Sequence, residues 1–598
     1  MKKFIACLLL LSLALLCISC GDSSWEAEVD VDKEIGQAQK ENNLPSKENM
    51  FTDRDQMDTF DETKATSITL TGDSATITGA GVTYSDGVVT IDRGGTYLVS
   101  GTLTQGQLVV DVESTQHVQL VLDGVSIHHA THAPLYVKRA EKVVVTLVGD
   151  NTLTGGDTFT QTDENHVDGV LYSQDDLTIN GTGSLTIPSS AGHGIVAKDD
   201  LVVMGGTYTI TATKQGLSAN DSIRISNGTF HLDTGGDCIH AENQENTTLG
   251  FVYIEAGTFH LTSDGDAISA SSAMQICGGS ITCVTGGGSA SSSSSSSSGW
   301  WGDWGNTSTE SDVSAKGLKA QTSLIIEGGT FQLDTADDAI HANDSLYVRG
   351  GTFTLSSGDD GLHADSAVNL YDGSLTISKS YEGIEAKQIT IYGGTHRVVA
   401  SDDGLNAGGG ADGSALGRPG AGGFEAAESD TFLRILGGTL VVNAAGDGLD
   451  SNGALYVTGG ETYVSGPTNS GNGALDYAGE ATITGGILFA AGSTGMAQNF
   501  GTTSTQGSCL VSTGTTSANT TITVSDEDGN ILATFTPEKQ FGCVVISLPE
   551  MEVGATLTLT VGTTSTTITL TSLIMGSGSG APGGPGGGGP PRPGGGRW

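Results

Sequence analysis

Asp337-Asp338-Ala339-Ile340-His341-Ala342 is followed by Asp359-Asp360-Gly361-Leu362-His363-Ala364, Tyr381-Glu382-Gly383-Ile384-Glu385-Ala386 and Asp402-Asp403-Gly404-Leu405-Asn406-Ala407. The copies start about every 22 residues, and each leads into a β-rich run and a turn such as Gly350-Gly351-Thr352. A fixed period in this range marks a solenoid, whose units bury their apolar faces only against their neighbours. Twenty-two residues leave room for three short strands and three turns. The spacing therefore predicts an all-β, three-sided parallel β-helix rather than a propeller, whose blades need roughly 40 residues.

Working outward, the entry motif reaches back to Asp168-Gly169-Val170 and forward to Asp447-Gly448-Leu449-Asp450. The coiled region is placed at 67–500, with 67–165 as atypical first coils and a β cap. Residues 501–573 read as a small C-terminal β module, and the Gly/Pro-rich stretch 574–598 as a disordered tail. The insertion 286–312 holds eight consecutive serines and then Trp300, Trp301 and Trp304, aromatic side chains suited to stacking on sugar rings. Period-two alternation places Ile340 and Ala342 inside and His341 toward solvent. It also stacks Tyr208, Phe230, Phe259, Phe331 and Phe353 as interior ladder residues rather than a sugar platform.

The chain opens Met1-Lys2-Lys3 and an apolar run closing on Cys17-Ile18-Ser19-Cys20. This reads as a lipoprotein signal over 1–19, with Cys20 lipidated, followed by a flexible polar tether over 20–66. Membrane contact is expected only through the lipid, on a bacterial cell surface outside the cell, and the protein is expected to be a monomer. No cysteine spacing suggests a disulfide framework. A net charge of -43 argues against nucleic acid, because phosphate binding needs clustered Lys and Arg.

Stacked at about 4.8 Å, the repeated acids form a column. Two like charges about 5 Å apart repel by roughly 3 kcal/mol at an effective dielectric of 20. Protons or a cation must relieve them, and Ca²⁺ suits an oxygen-rich site. The expected metal ligands are Asp337, Asp338, Asp359, Asp360, Glu382, Glu385, Asp402, Asp403, Asn406, Asp447 and Asp450. His341, His363, Tyr381 and the three tryptophans are candidate carbohydrate contacts. No catalytic residue is assigned.

Two stretches carry a family resemblance: Thr96-Tyr97-Leu98-Val99-Ser100-Gly101-Thr102-Leu103 with Leu120-Val121-Leu122-Asp123-Gly124-Val125, and the tandem DDGL/GGT repeat. Together they resemble the clostridial cellulose- and polygalacturonate-binding, pectate-lyase-like β-helix family of carbohydrate-binding domain-containing proteins. The resemblance implies a right-handed helix, calcium between coils, and binding rather than cleavage of plant polysaccharide. Two other functions fit the same residues. A pectate-lyase-like enzyme or glycosidase would use paired carboxylates, although Arg349, Arg397 and Lys387 all lie outside the acidic motif. A surface adhesin or spacer would merely display the tryptophan loop.

Overall fold

The computed structural model describes residues 29–161, 163–291, 314–408 and 429–576. Cys20, Trp300, Trp301 and Trp304 lie outside them, as do the whole signal segment 1–19 and most of the tail. The described chain is all-β apart from one α-helix, Val31–Glu41, and a short 3₁₀ turn, Lys47–Asn49.

Through most of the repeat, each strand pairs in parallel with the third strand after it, giving three stacks of strands; Leu362–Leu370 and Ile384–Ile391 are long enough to run through two stacks each. In the first stack Leu318, Ile340, Leu362, Ile384 and Leu405 are successive register partners. In the second they are Leu324, Leu346, Val368 and Ile389, and in the third Phe331, Phe353, Leu375 and His396. The residues that alternate inward are branched or aromatic because a pleated strand exposes every second side chain to one side. They merge into one continuous buried core from Ile68 to Val545. The aromatic ladder lies within it: Phe230 stacks on Tyr208 and Phe259 at centroid distances of 4.8 Å, and Phe331 on Phe353 at 4.6 Å. Gly329 and Gly351, both at φ +119°, occupy a turn conformation that a Cβ disfavours, and a Cβ at Gly351 would lie 3.1 Å from the Gly329 carbonyl.

Both ends add antiparallel pairs to the parallel pattern. At the start, Thr66–Gly72 pairs antiparallel with Ala75–Thr78 and Val82–Ser85 with Val88–Ile91. At the finish, Phe541–Ser547 runs antiparallel to both Ile487–Gly492 and Ser508–Thr516. Hairpins at the termini occupy edges that would otherwise offer unpaired backbone groups to another chain. A separate four-stranded antiparallel sheet, built from Ile522–Ser525, Ile531–Phe535, Thr556–Val561 and Thr564–Thr569, shares a second small core with Phe489, Cys509, Phe541, Val544 and Ile546 of the large sheet. Cys238, Cys277, Cys283, Cys509 and Cys543 are free thiols, so cohesion rests on stacking and pairing.

The tether expectation fails over 31–58. Ile35, Ala38, Leu44 and Met50 are buried against Phe251, Tyr253, Ala273 and Ile325 of the second stack. The segment crosses many coils: Asp32 pairs with Arg349 at 2.6 Å and Lys47 with Glu327 at 2.7 Å. Asp55 is wholly buried against Lys142 at 2.6 Å and Thr178 at 2.5 Å. Four apolar residues scattered in a polar stretch escape a periodicity search, yet they suffice once a preformed apolar face receives them. Breaking a buried ion pair leaves the partner charge uncompensated. Asp55→Ala is expected to lower the unfolding free energy by about 3 kcal/mol in urea titration, and to make 29–58 the first site of proteolysis.

Candidate functional site

The second acid of six motif copies does a structural job that sequence spacing does not reveal: its carboxylate accepts the backbone N–H of the equivalent residue one coil on. Asp237 takes the N–H of Asp266 at 2.8 Å, and Asp266 that of Lys316 at 2.7 Å. Asp338 takes Asp360 at 2.9 Å, and Asp360 takes Glu382 at 3.2 Å. Asp403 takes Asp447 at 2.5 Å, and Asp447 takes Gly473. These N–H groups sit at the turn into the first stack, where a charge-assisted acceptor replaces a strand partner.

A second chain of interactions neutralises the earlier part of the column. Lys316, itself buried, donates to Asp337 at 2.9 Å and to Asp338 at 2.7 Å. His341 Nδ1 lies 2.8 Å from Asp338, and His363 Nδ1 lies 3.1 Å from both Asp360 and Glu385. The two imidazoles stack at 4.6 Å. They are 2% and 1% exposed, which corrects the expectation that His341 faces solvent. It points away from the apolar core, but Asp338 and Asn343 bracket its ring. A sugar ring does not reach either imidazole directly.

The electrostatics follow from this arrangement. Burial works to raise Asp338, but Lys316 and His341 outweigh it and hold the carboxyl below its usual range. Burial works to lower His363, but its bonds to Asp360 and Glu385 push it up to about 11. Asp360 rises well above an ordinary carboxyl through burial and the neighbouring Asp338, Asp359 and Glu382. His363 lies between two carboxylates, Asp360 and Glu385. The stretch from Asp337 to Glu385, where calcium was expected, thus carries its own counter-ions. Asp337, Asp338 and Asp359 still bring ligand atoms within 4.8 Å of one another, but Lys316 is bonded to two of the three.

Farther along the column the counter-ions end. Asp403, Asp447 and Asp450 also place ligand oxygens within 4.8 Å of one another, and no Lys or Arg among the described residues pairs with them. Burial, then Asp402, pushes Asp403 up to about 7; burial, with Asp403 and Asp476, pushes Asp447 up to about 8. Asp450 is raised well above the usual range by burial and by Asp403 and Asp447. Glu382 is pushed up to about 8 by burial and Glu385, while Asn406 donates to it at 2.9 Å. That donation leaves the buried Oδ1 of Asn406 without a hydrogen-bond partner among the described residues. Asn406 stands between Glu385 and Asp450 in register. Tyr381 is half-buried and bonded to Asp402, which with burial raises its phenol.

The donor set at Asp403, Asp447 and Asp450, with Asn406 as the register partner of Asp450, fits a hard cation: all oxygen, the three carboxylates within 4.8 Å of one another, and no Lys or Arg among the described residues paired with them. The acids found from sequence are therefore brought together, but in two groups of different chemistry. Lys316 and Asp266 were missed as members, although both sit at the motif's position in their own coils.

An all-β protein of stacked coils with a carboxylate-lined edge is the class that fold and site define. Residues 85–361 match the family model described as carbohydrate-binding domain-containing protein. A protein of Acetivibrio thermocellus with the same description is 40% identical over 128 residues, which cover 21% of this chain and 45% of that protein. The chain thus spans less than half the length of that relative. A solved structure titled as a polysaccharide lyase-like protein from C. thermocellum, a gadolinium derivative, is 35% identical, covers 37% of this chain and 92% of that chain, and superposes with a TM-score of 0.36.

Two outcomes are expected. Lys316→Met should cost about 3 kcal/mol in urea unfolding by leaving Asp338 buried without its cation, and Asp338→Asn in that background should recover part of the loss. Without divalent cations, the folded carboxyls at about 7 and 8 bind protons that the unfolded chain, near pH 4, has already released. Unfolded chains therefore hold fewer protons between these limits, and stability should fall as pH rises from about 5 to 8, read as a falling Tm.

Proposed function

We propose that the protein binds polysaccharide without cleaving it, and that Ca²⁺ held by Asp403, Asn406, Asp447 and Asp450, with Asp402 alongside, serves acidic polysaccharide such as polygalacturonate. The observation that carries the reading is this oxygen cluster, with three carboxylates lacking counter-ions and the unpartnered Asn406 oxygen. Calcium would supply a positive centre on a chain of net charge -43, which would otherwise repel a polyuronate. The protein's own part is to hold the four oxygens rigidly. Register pairing of Leu405, Leu449 and Leu475 fixes the strands that carry them.

The family description over 85–361 supports polysaccharide as the ligand class. Binding rather than elimination is supported by where the basic candidates sit. Arg349 pairs with Asp32, Arg397 with Glu538 at 2.8 Å, and Lys387 with Asp430 at 2.6 Å. Elimination needs a base within hydrogen-bond reach of the substrate proton; these three are held by partners outside the acidic column, and Lys316 within it is buried and bonded to Asp337 and Asp338. The same reading includes a right-handed, closed three-sided helix, a monomer, and a lipid anchor at Cys20 holding the coils at the bacterial surface.

Full-length protein should be retarded in polygalacturonate gels with calcium and migrate freely with chelator. Asp447→Asn with Asp450→Asn should abolish the calcium-dependent part. Retardation that survives complete calcium removal overturns the bridging role, and unsaturated product absorbing in the ultraviolet overturns the non-catalytic one.

A further inference from the structure

The outward face of the third stack differs from the acidic edge in both shape and charge. Ser184, Thr207, Thr229, Thr258 and Ser280 stand in one register row, an unbroken line of hydroxyls across five successive strands. The next outward row runs Thr186, Thr209, His231, His260 and Thr282. His231 and His260 are exposed and stack at 4.8 Å with their planes 9° apart.

Two adjoining depressions share the strands Thr207–Ala212 and Thr229–Thr234. One, of about 550 Å³, lies between the end of the N-terminal strap and the turns of three coils, and is lined by Gln56, Asp58, Asn180, Thr182, Asn227 and Thr229. The other, of about 320 Å³, centres on Thr209, His231 and His260 and ends at Asp233 and Thr262. The first has a built wall. Asn180 is 2% exposed, and its amide nitrogen is pinned by the carbonyls of Asp55 at 3.1 Å and Met57 at 2.9 Å. Its oxygen takes no hydrogen bond among the described residues.

We infer that these depressions form one cleft that binds a chain of uncharged, hydroxyl-rich saccharide without a cation. Both depressions fall in the size range of small-molecule sites. Their lining supplies amides, hydroxyls and imidazoles, which donate and accept toward sugar hydroxyls. No Lys or Arg lines either one, and the only carboxylates, Asp58 and Asp233, stand in different depressions. An acidic glycan would meet no positive partner here, so charge selects a neutral one. The strap contributes Gln56 and Asp58, so the cleft is complete only when 31–58 is docked. Except for those two residues it lies inside 85–361, whereas Asp402–Asp450 lie outside that stretch. The inference rests on the polysaccharide-binding reading but not on calcium.

The test uses the full-length protein in chelator, titrated calorimetrically with neutral β-linked glucan, xylan and mannan hexasaccharides. At least one is expected to bind, and His231→Ala with His260→Ala should weaken it about tenfold, as should Gln56→Ala with Asn227→Ala. All four side chains are exposed or half-buried, and an unchanged Tm confirms folding. The same variants should keep calcium-dependent retardation in polygalacturonate, so this cleft and the acidic site fail separately. Binding of none of the three saccharides, or binding that both double variants leave unaltered, overturns the cleft.

Discussion

In-register parallel pairing sets each residue directly above its equivalent in the neighbouring coil, at about 4.8 Å, and the rest of the structure answers to that repetition. Inside, repetition is favourable: Phe230 on Phe259 and Leu318 on Ile340 fill one another's space without steric conflict. Outside, repetition of a charged residue is costly, because each copy adds a like charge at the same short distance. The protein keeps the carboxylates because they accept backbone N–H groups from the coil above. The turn entering the first stack would otherwise lack those acceptors.

Three devices offset the resulting repulsion, and they follow one another along the rod. Lys316 supplies a buried cation to Asp337 and Asp338. His341 and His363 then lie against Asp338, Asp360 and Glu385. From Asp403 onward neither lysine nor histidine takes the position, and the carboxyls are left to protons or to an external cation. That gradient, rather than the number of acids, separates a structural column from a site able to take a ligand.

The strap over 31–58 shows how local polarity misleads. Its residues have little apolar character of their own, and the hydrophobic gain appears only against Phe251, Tyr253 and Ile325. Docking also gives the uncharged face a wall. The acidic edge and the neutral cleft are thus built by different means: one by repetition within the coils, the other by a segment laid across them.

Much of the architecture was legible in the chain. The recurrence at Asp338, Asp360 and Glu382 announces stacked coils, alternation separates inward Phe331 from outward Gln332, and the acid-rich motif marks the edge. These are local and periodic properties, and covalent order alone carries them. Which acids keep their charge was not legible, because it depends on Lys316 reaching Asp338 from the preceding coil and on burial around His363. Nor was the place of Gln56 beside Asn180, 124 positions along the chain. Contacts between distant segments and the desolvation they impose arise only when the coils close on one another, and there the tertiary structure decided the chemistry.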